Sequence, residues 1–104
     1  MENLKIMLCC GAGMSSGFLA SSARKVIKKK KLPISVEARS HSEVREHLGS
    51  IDVLMLGPHY ATELENFQAL AEPNNVAVVV IPQDIYAQLD GLRLIDLAME
   101  SVHK

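Results

Sequence analysis

Two stretches of the sequence, Ile51-Asp52-Val53-Leu54-Met55-Leu56 and Val76-Ala77-Val78-Val79-Val80-Ile81, are nearly unbroken apolar runs, stopped by Gly57-Pro58 and by Pro82. A strand with one wet face alternates apolar and polar residues, whereas a strand covered on both faces need not, and continuous runs of this length are what a parallel sheet between helices requires. The runs commit the chain to the α/β class. Leu4 to Cys9 is a third such run, closed by Gly11-Ala12-Gly13, after which Ser15, Ser16 and Gly17 lead into a helical segment ending in Lys28 to Lys31. Ile34 to Ala38 alternates like a strand with one wet face, and Ser42 to Leu48 carries a short helical pattern opened by a serine cap. Thr62 to Ala71 is helical in composition, Val76 to Ile81 is expected to be a fully buried strand, and Gly91 to Val102 reads as a helix with Leu92, Ile95, Leu97, Met99 and Val102 on its apolar stripe. The expectation is a small four-stranded open parallel sheet with helices on both faces and a phosphate loop after the first strand. Its ligands belong at the carboxyl ends of the strands, where the strand order switches.

Composition narrows the function. With 104 residues the chain is expected to form a single domain over 1–104, large enough to bury a core without staples. Eleven basic against 12 acidic residues, with two Tyr and two Phe, remove the basic footprint and the stacking platforms that nucleic-acid binding needs. No apolar run approaches the ~20 residues of a membrane span, and the start lacks a basic region ahead of its short apolar stretch, so a cytoplasmic protein is expected. Cys9 and Cys10 are adjacent, which disfavours a bridge between them, and His41, His47 and His103 show no ligand spacing with either. No metal site and no cofactor are read from the sequence.

The chemistry is concentrated in Cys10-Gly11-Ala12-Gly13-Met14-Ser15-Ser16-Gly17. Small residues between a strand and a helix let successive N–H groups converge, and the positive end of the helix dipole adds to the cradle, so a phosphate fits there, held by amides and by the Ser15 and Ser16 hydroxyls. A thiol at such a helix start has its thiolate favoured, which makes Cys10 a candidate nucleophile, while Cys9, still on the strand, reads as a small core residue. A mononucleotide loop needs a lysine and a hydroxyl after its last glycine, and Phe18-Leu19 stand there instead. A dinucleotide fingerprint would use Gly11, Gly13 and Gly17 with Glu37 as the ribose ligand, but its third glycine comes one residue late. A cysteine phosphatase would carry an arginine where Ser16 stands. Without that guanidinium a phosphorylated Cys10 should persist rather than hydrolyse, which makes a carrier.

The run Cys10-x-x-Gly13-Met14-Ser15-Ser16, with Gly57-Pro58 and Tyr86…Asp90-Gly91, resembles the IIB component of the lactose/cellobiose (chitobiose) class of the phosphoenolpyruvate-dependent sugar phosphotransferase system. The resemblance covers essentially the whole chain. It implies that Cys10 takes a phosphoryl group from a phosphohistidine on a IIA protein and passes it to a sugar at a membrane IIC protein, with Gly11, Ala12, Gly13, Met14, Ser15, Ser16 and Gly17 as the phosphate loop. It also implies a cytoplasmic protein that meets the membrane transiently through IIC, and a β-linked disaccharide as the sugar. His59 stands where glutamine is familiar and reads as a solvated neighbour. Met14 and Phe18 are rim residues able to touch partners. Arg24, Lys25 and Lys28 to Lys31 read first as the solvated end of a helix, and secondarily as a docking patch about 20 Å from Cys10 at ~1.5 Å per helical residue. The alternatives kept open are a small cysteine phosphatase and a nucleotide- or phosphate-binding module.

Overall fold

A computed structural model describes residues 4–9, 14–39 and 43–102, with side chains throughout except those of residues 14–17, 59 and 102. Strands β1 (Leu4–Cys9), β2 (Ile34–Arg39), β3 (Val53–Leu56) and β4 (Ala77–Val80) form one sheet in the order β2-β1-β3-β4, and all its pairings are parallel. Helices α1 (Met14–Lys30), α2 (Val44–His47), α3 (Leu64–Ala71), α4 (Gln83–Gln88) and α5 (Gly91–Val102) connect and cover it. The four-stranded α/β architecture is the one expected.

Side-chain alternation sorts the core into two layers. Ile6, Leu8, Val36, Val53 and Met55 point to the side where Leu19, Ala20 and Ala23 of α1 and Leu94, Ile95 and Ala98 of α5 close over them. Met7, Cys9, Leu54 and Leu56 point to the other, under Val44, Leu48 and Ala71, with Tyr60 and Phe67 meeting edge to face at 6.0 Å. Each fully buried Leu, Ile or Met contributes roughly 1.5–3 kcal/mol. β1 and β3, central in the sheet, carry most of them.

Each helix stops for a local reason. α1 runs into Lys31 at φ 55°, with Leu32 N–H donating to Ile27 O at 3.0 Å, a left-handed cap after which Pro33 bars any continuation. Leu89 at φ 53° ends α4 in the same way, its neighbour Asp90 N–H donating to Ile85 O. Asp90 then caps α5, accepting the Arg93 N–H at 3.1 Å.

Three expectations are corrected. Ala77 to Val80 are half-exposed, because β4 is an edge strand with a neighbour on one side only, and full burial is confined to its flanks, Val76 and Ile81. On α5 the buried residues are Leu94, Ile95 and Ala98, whereas Leu92 and Met99 are exposed at 40% and 36%. The buried face runs through Gly91, Leu94, Ile95 and Ala98, with Gly91 set against the α1 backbone at Ser22 and Ala23, and a stripe drawn through Leu92 and Met99 is rotated from it. Helix α4 was not expected at all, and the segment from Thr62 opens as 3-10 turns over Pro58–Glu63 before α3 begins. The serine cap at Ser42 lies outside the described residues; the cap position of α2 is Glu43, with no side-chain capping bond.

Arg93 also reaches Asp84, at 2.7 Å. The hydrogen bond from Arg93, and then its charge, hold the exposed Asp84 carboxyl below its ordinary value of 3.8. A carboxylate whose pKa is depressed on folding stabilises above its unfolded value and loses that contribution as pH falls through the folded one. Asp84→Asn is therefore expected to lower the melting temperature slightly at neutral pH, with the gap to the parent closing as acid protonates Asp84 in the folded protein. Thermal scans across acid pH check this; a gap that persists in acid contradicts it.

Candidate functional site

The topology makes one crevice. From β1 the chain crosses by α1 to β2, on one face of the sheet, while from β3 it crosses by α3 to β4, on the other. The segments that follow the two central strands therefore diverge at their carboxyl ends, and the gap between them is where doubly wound sheets place ligands. Cys9 pairs with Leu56 across this edge, Gly57 N–H donates to Cys9 O at 2.9 Å, and Ile81 N–H donates to Leu56 O at 2.7 Å. Gly57 is buried and turns the chain into Pro58 at the start of the 3-10 segment, so the backbone of residues 57–59 borders this gap.

Cys10, Gly11, Ala12 and Gly13 lie outside the described residues. The backbone of Met14, Ser15, Ser16 and Gly17 is the first turn of α1, so the expected loop ends at Gly13 and its last four residues contribute as helix, their N–H groups being the orphan donors of a 17-residue helix. Phe18, in the next turn, is 61% exposed at the same end. Cys9 is completely buried among Met7, Val44 and Leu56, the position expected for a core residue. The side chain of His59 lies outside the described set.

Sequence reasoning missed Arg39. It ends β2 in register with Cys9, and of the four residues that close the strands it alone is charged. Its guanidinium reaches Glu37 at 3.3 Å and Glu43 at 3.8 Å, both pairs partly exposed and worth under about 1 kcal/mol each. Glu37, the residue a dinucleotide would need, is thus engaged by Arg39. Arg24 is structural: its Nε donates to Val36 O at 2.9 Å, covering a carbonyl on the free edge of β2.

Two cavities formed by described residues lie elsewhere. One of about 550 Å³ beside β4 is lined by Glu65, Gln68, Ala69, Glu72, Asn75, Val76 and Val78, and its carboxylates would repel a phosphate. The other, about 210 Å³, lies between β2 and His47, near Lys5, Ser35 and Glu37. Neither touches Cys9 or Leu56.

Residues 5–97 match the family model described as "PTS system, Lactose/Cellobiose specific IIB subunit". Among solved structures, the lactose-specific IIB component domain of the phosphoenolpyruvate:carbohydrate phosphotransferase system from Streptococcus pneumoniae superposes with a TM-score of 0.87 at 16% identity, covering 96% of this chain and 98% of that one. The cellobiose-specific phosphotransferase IIB component protein from Borrelia burgdorferi gives 0.81 at 24% identity, covering 98% and 94%. At these identities the two structures speak for the fold.

Proposed function

The chain belongs to the lactose/cellobiose-specific IIB subunits of the phosphotransferase system, phosphoryl carriers in sugar transport, and from that premise we propose that Cys10 is the residue phosphorylated. In this reading residues 1–104 act as one phosphotransferase domain. The Cys10 thiolate attacks the phosphorus of a phosphohistidine on IIA, the P–S bond forms as the P–N bond breaks, and the imidazole nitrogen keeps the electron pair. A hydroxyl of the sugar held by IIC, a β-linked disaccharide, then attacks the same phosphorus and the thiolate leaves. Gly11 to Gly13 and the first turn of α1, Met14 to Gly17, hold the equatorial oxygens with N–H groups, so catalysis is positioning and electrostatics. No described helix is long and apolar enough to cross a membrane, and the carrier meets the bilayer through IIC on the cytoplasmic side.

The observation that carries the reading is the gap at the carboxyl ends of β1 and β3: β1 ends there at Cys9, the residue before Cys10 in the sequence, and α1 begins at Met14. Exposed Phe18 on that rim offers an apolar contact to both partners. Phosphatase chemistry is disfavoured by Ser16, which puts a neutral hydroxyl where such enzymes hold a guanidinium.

Intact-mass spectrometry after incubation with phosphoenolpyruvate and the upstream phosphotransfer proteins is expected to show one added phosphoryl group that outlasts the assay. It should discharge on adding membranes bearing IIC together with its sugar. Turnover of p-nitrophenyl phosphate by the protein alone at about 1 per second or faster would replace the carrier with a phosphatase.

A further inference from the structure

Helix α1 concentrates charge on its outer face. Six of the chain's eleven basic residues, Arg24, Lys25 and Lys28 to Lys31, lie on it or directly after it, and its 17 residues include no Asp or Glu. At ~3.6 residues per turn, Phe18, Lys25 and Lys29 fall within about 20° of one line, opposite the buried Leu19, Ala20 and Ala23, with Lys28 beside them. That line is ~17 Å long at ~1.5 Å per residue. All four of these side chains are exposed, Phe18 at 61%. Among the described residues, ion pairs are made by Arg39 and Arg93 and none by these lysines. The helix dipole accounts for cations in the last turn, but Lys25 precedes that turn and repels Lys28 and Lys29 at the three- and four-residue spacings.

The kind of cation indicates what it faces. Arginine forks suit a fixed carboxylate on a protein, whereas lysines are flexible point charges that follow a diffuse anionic surface. The one arginine of the group, Arg24, is engaged by Val36 O, and every other cation of the group is a lysine. A row of lysines ending in an exposed aromatic ring fits phospholipid headgroups, with the cations among the phosphates and the ring at the acyl boundary. We propose that the Phe18, Lys25, Lys28 and Lys29 ridge of α1 is a docking surface for an anionic membrane. Because α1 follows β1 in the chain, its amino end lies on the side of the molecule where the gap opens, and a helix laid along the bilayer brings that side to lipid level. The neighbouring α5 presents Asp96 and Glu100 to solvent, which confines the lipid contact to α1. The ridge goes beyond the carrier reading and does not depend on which residue is phosphorylated.

The test is sedimentation of the full chain with vesicles of phosphatidylcholine alone and of phosphatidylcholine mixed with phosphatidylglycerol. Binding is expected on the mixed vesicles only, and is lost at about 1 M salt, where the screening length falls to ~3 Å. Each ridge lysine is worth about fivefold, so Lys25→Gln weakens binding by about that factor, and Lys25→Gln with Lys28→Gln and Lys29→Gln by about a hundredfold. Phe18→Ala is expected to weaken it about tenfold. Arg45→Gln removes the same charge from α2, across the sheet, and leaves binding unchanged. Equal losses in Arg45→Gln and Lys25→Gln would reduce the effect to net charge and overturn the ridge. Failure to bind the mixed vesicles overturns the lipid partner, and slower phosphoryl loading from IIA in the triple variant would then assign the lysines to an acidic protein surface. A chain that binds no vesicle yet loads normally loses the ridge and keeps the carrier reading.

Discussion

Cys10→Ser is expected to take up no phosphoryl group, while Cys9→Ala loads like the parent. A thiol of ordinary pKa ~8.5 is already partly ionised near neutrality, and more so at a helix amino end, whereas a serine hydroxyl in the same place stays protonated without a base. Leu56, Gly57 and Pro58, which border the gap, carry no titratable side chain to act as that base. The loading rate should fall by about a thousandfold or more, equivalent to ~4 kcal/mol of barrier. Cys9 offers the internal comparison, being chemically identical and one residue away, yet completely buried under Val44 and Leu48 on the α2 side of the sheet. Loading of both single variants from the same donor, read by intact mass, separates them. Label retained by Cys10→Ser and lost from Cys9→Ala would transfer the role to the buried thiol.

The second large effect is on stability. At Gly91 an added Cβ would meet Ser22 C, Ser22 O and Ala23 N, each at 2.6 Å, and all three are backbone atoms that no rotamer change can move. This is the point where α5 crosses α1, and Ala20, Ala23 and Ala98 keep that crossing close. Helix propensity alone would make Gly91→Ala stabilising by ~1 kcal/mol. Overpacking against fixed backbone opposes it by ~3 kcal/mol or more, so the clash wins. A net loss of ~2–3 kcal/mol in a domain of this size lowers the melting temperature by roughly 10–20 °C. Thermal or urea unfolding reads it directly, and a variant as stable as the parent would mean that the two helices can part at no cost.

Much of the fold was legible because it rests on local pattern. Leu4 to Cys9 alternates two buried faces within one apolar run and is found with those bounds, and Gly91 begins the last helix where expected. Failures came where sequence pattern is silent about neighbours. Ala77 to Val80 and Val53 to Leu56 look alike as strings, yet β3 is central and β4 an edge, a difference made only by strand order. The stripe on α5 was misplaced because close helix contacts select small residues that hydropathy overlooks. A signal for α4 was present in Pro82, Asp84 and the Ile85, Tyr86, Leu89 spacing. At the site, the cysteine and glycines announce an anion loop by residue type, but the pairing of Arg39 with Cys9 depends on register, which no local motif encodes.

The order β2-β1-β3-β4 also governs how the chain can assemble. Leu4 pairs with Ile34, Ile6 with Val53 and Val53 with Ala77, so every ladder joins segments separated by whole helices and no hairpin can form early. Loop-closure entropy must be spent before any strand pairing returns it, and the costliest closure is the one that seats β3 against β1. The gap beyond Cys9 and Leu56 is made by that same closure. Its two walls come together only when the long-range pairing of the central strands is in place, so a chain in which β1 and β3 are still apart lacks the gap altogether.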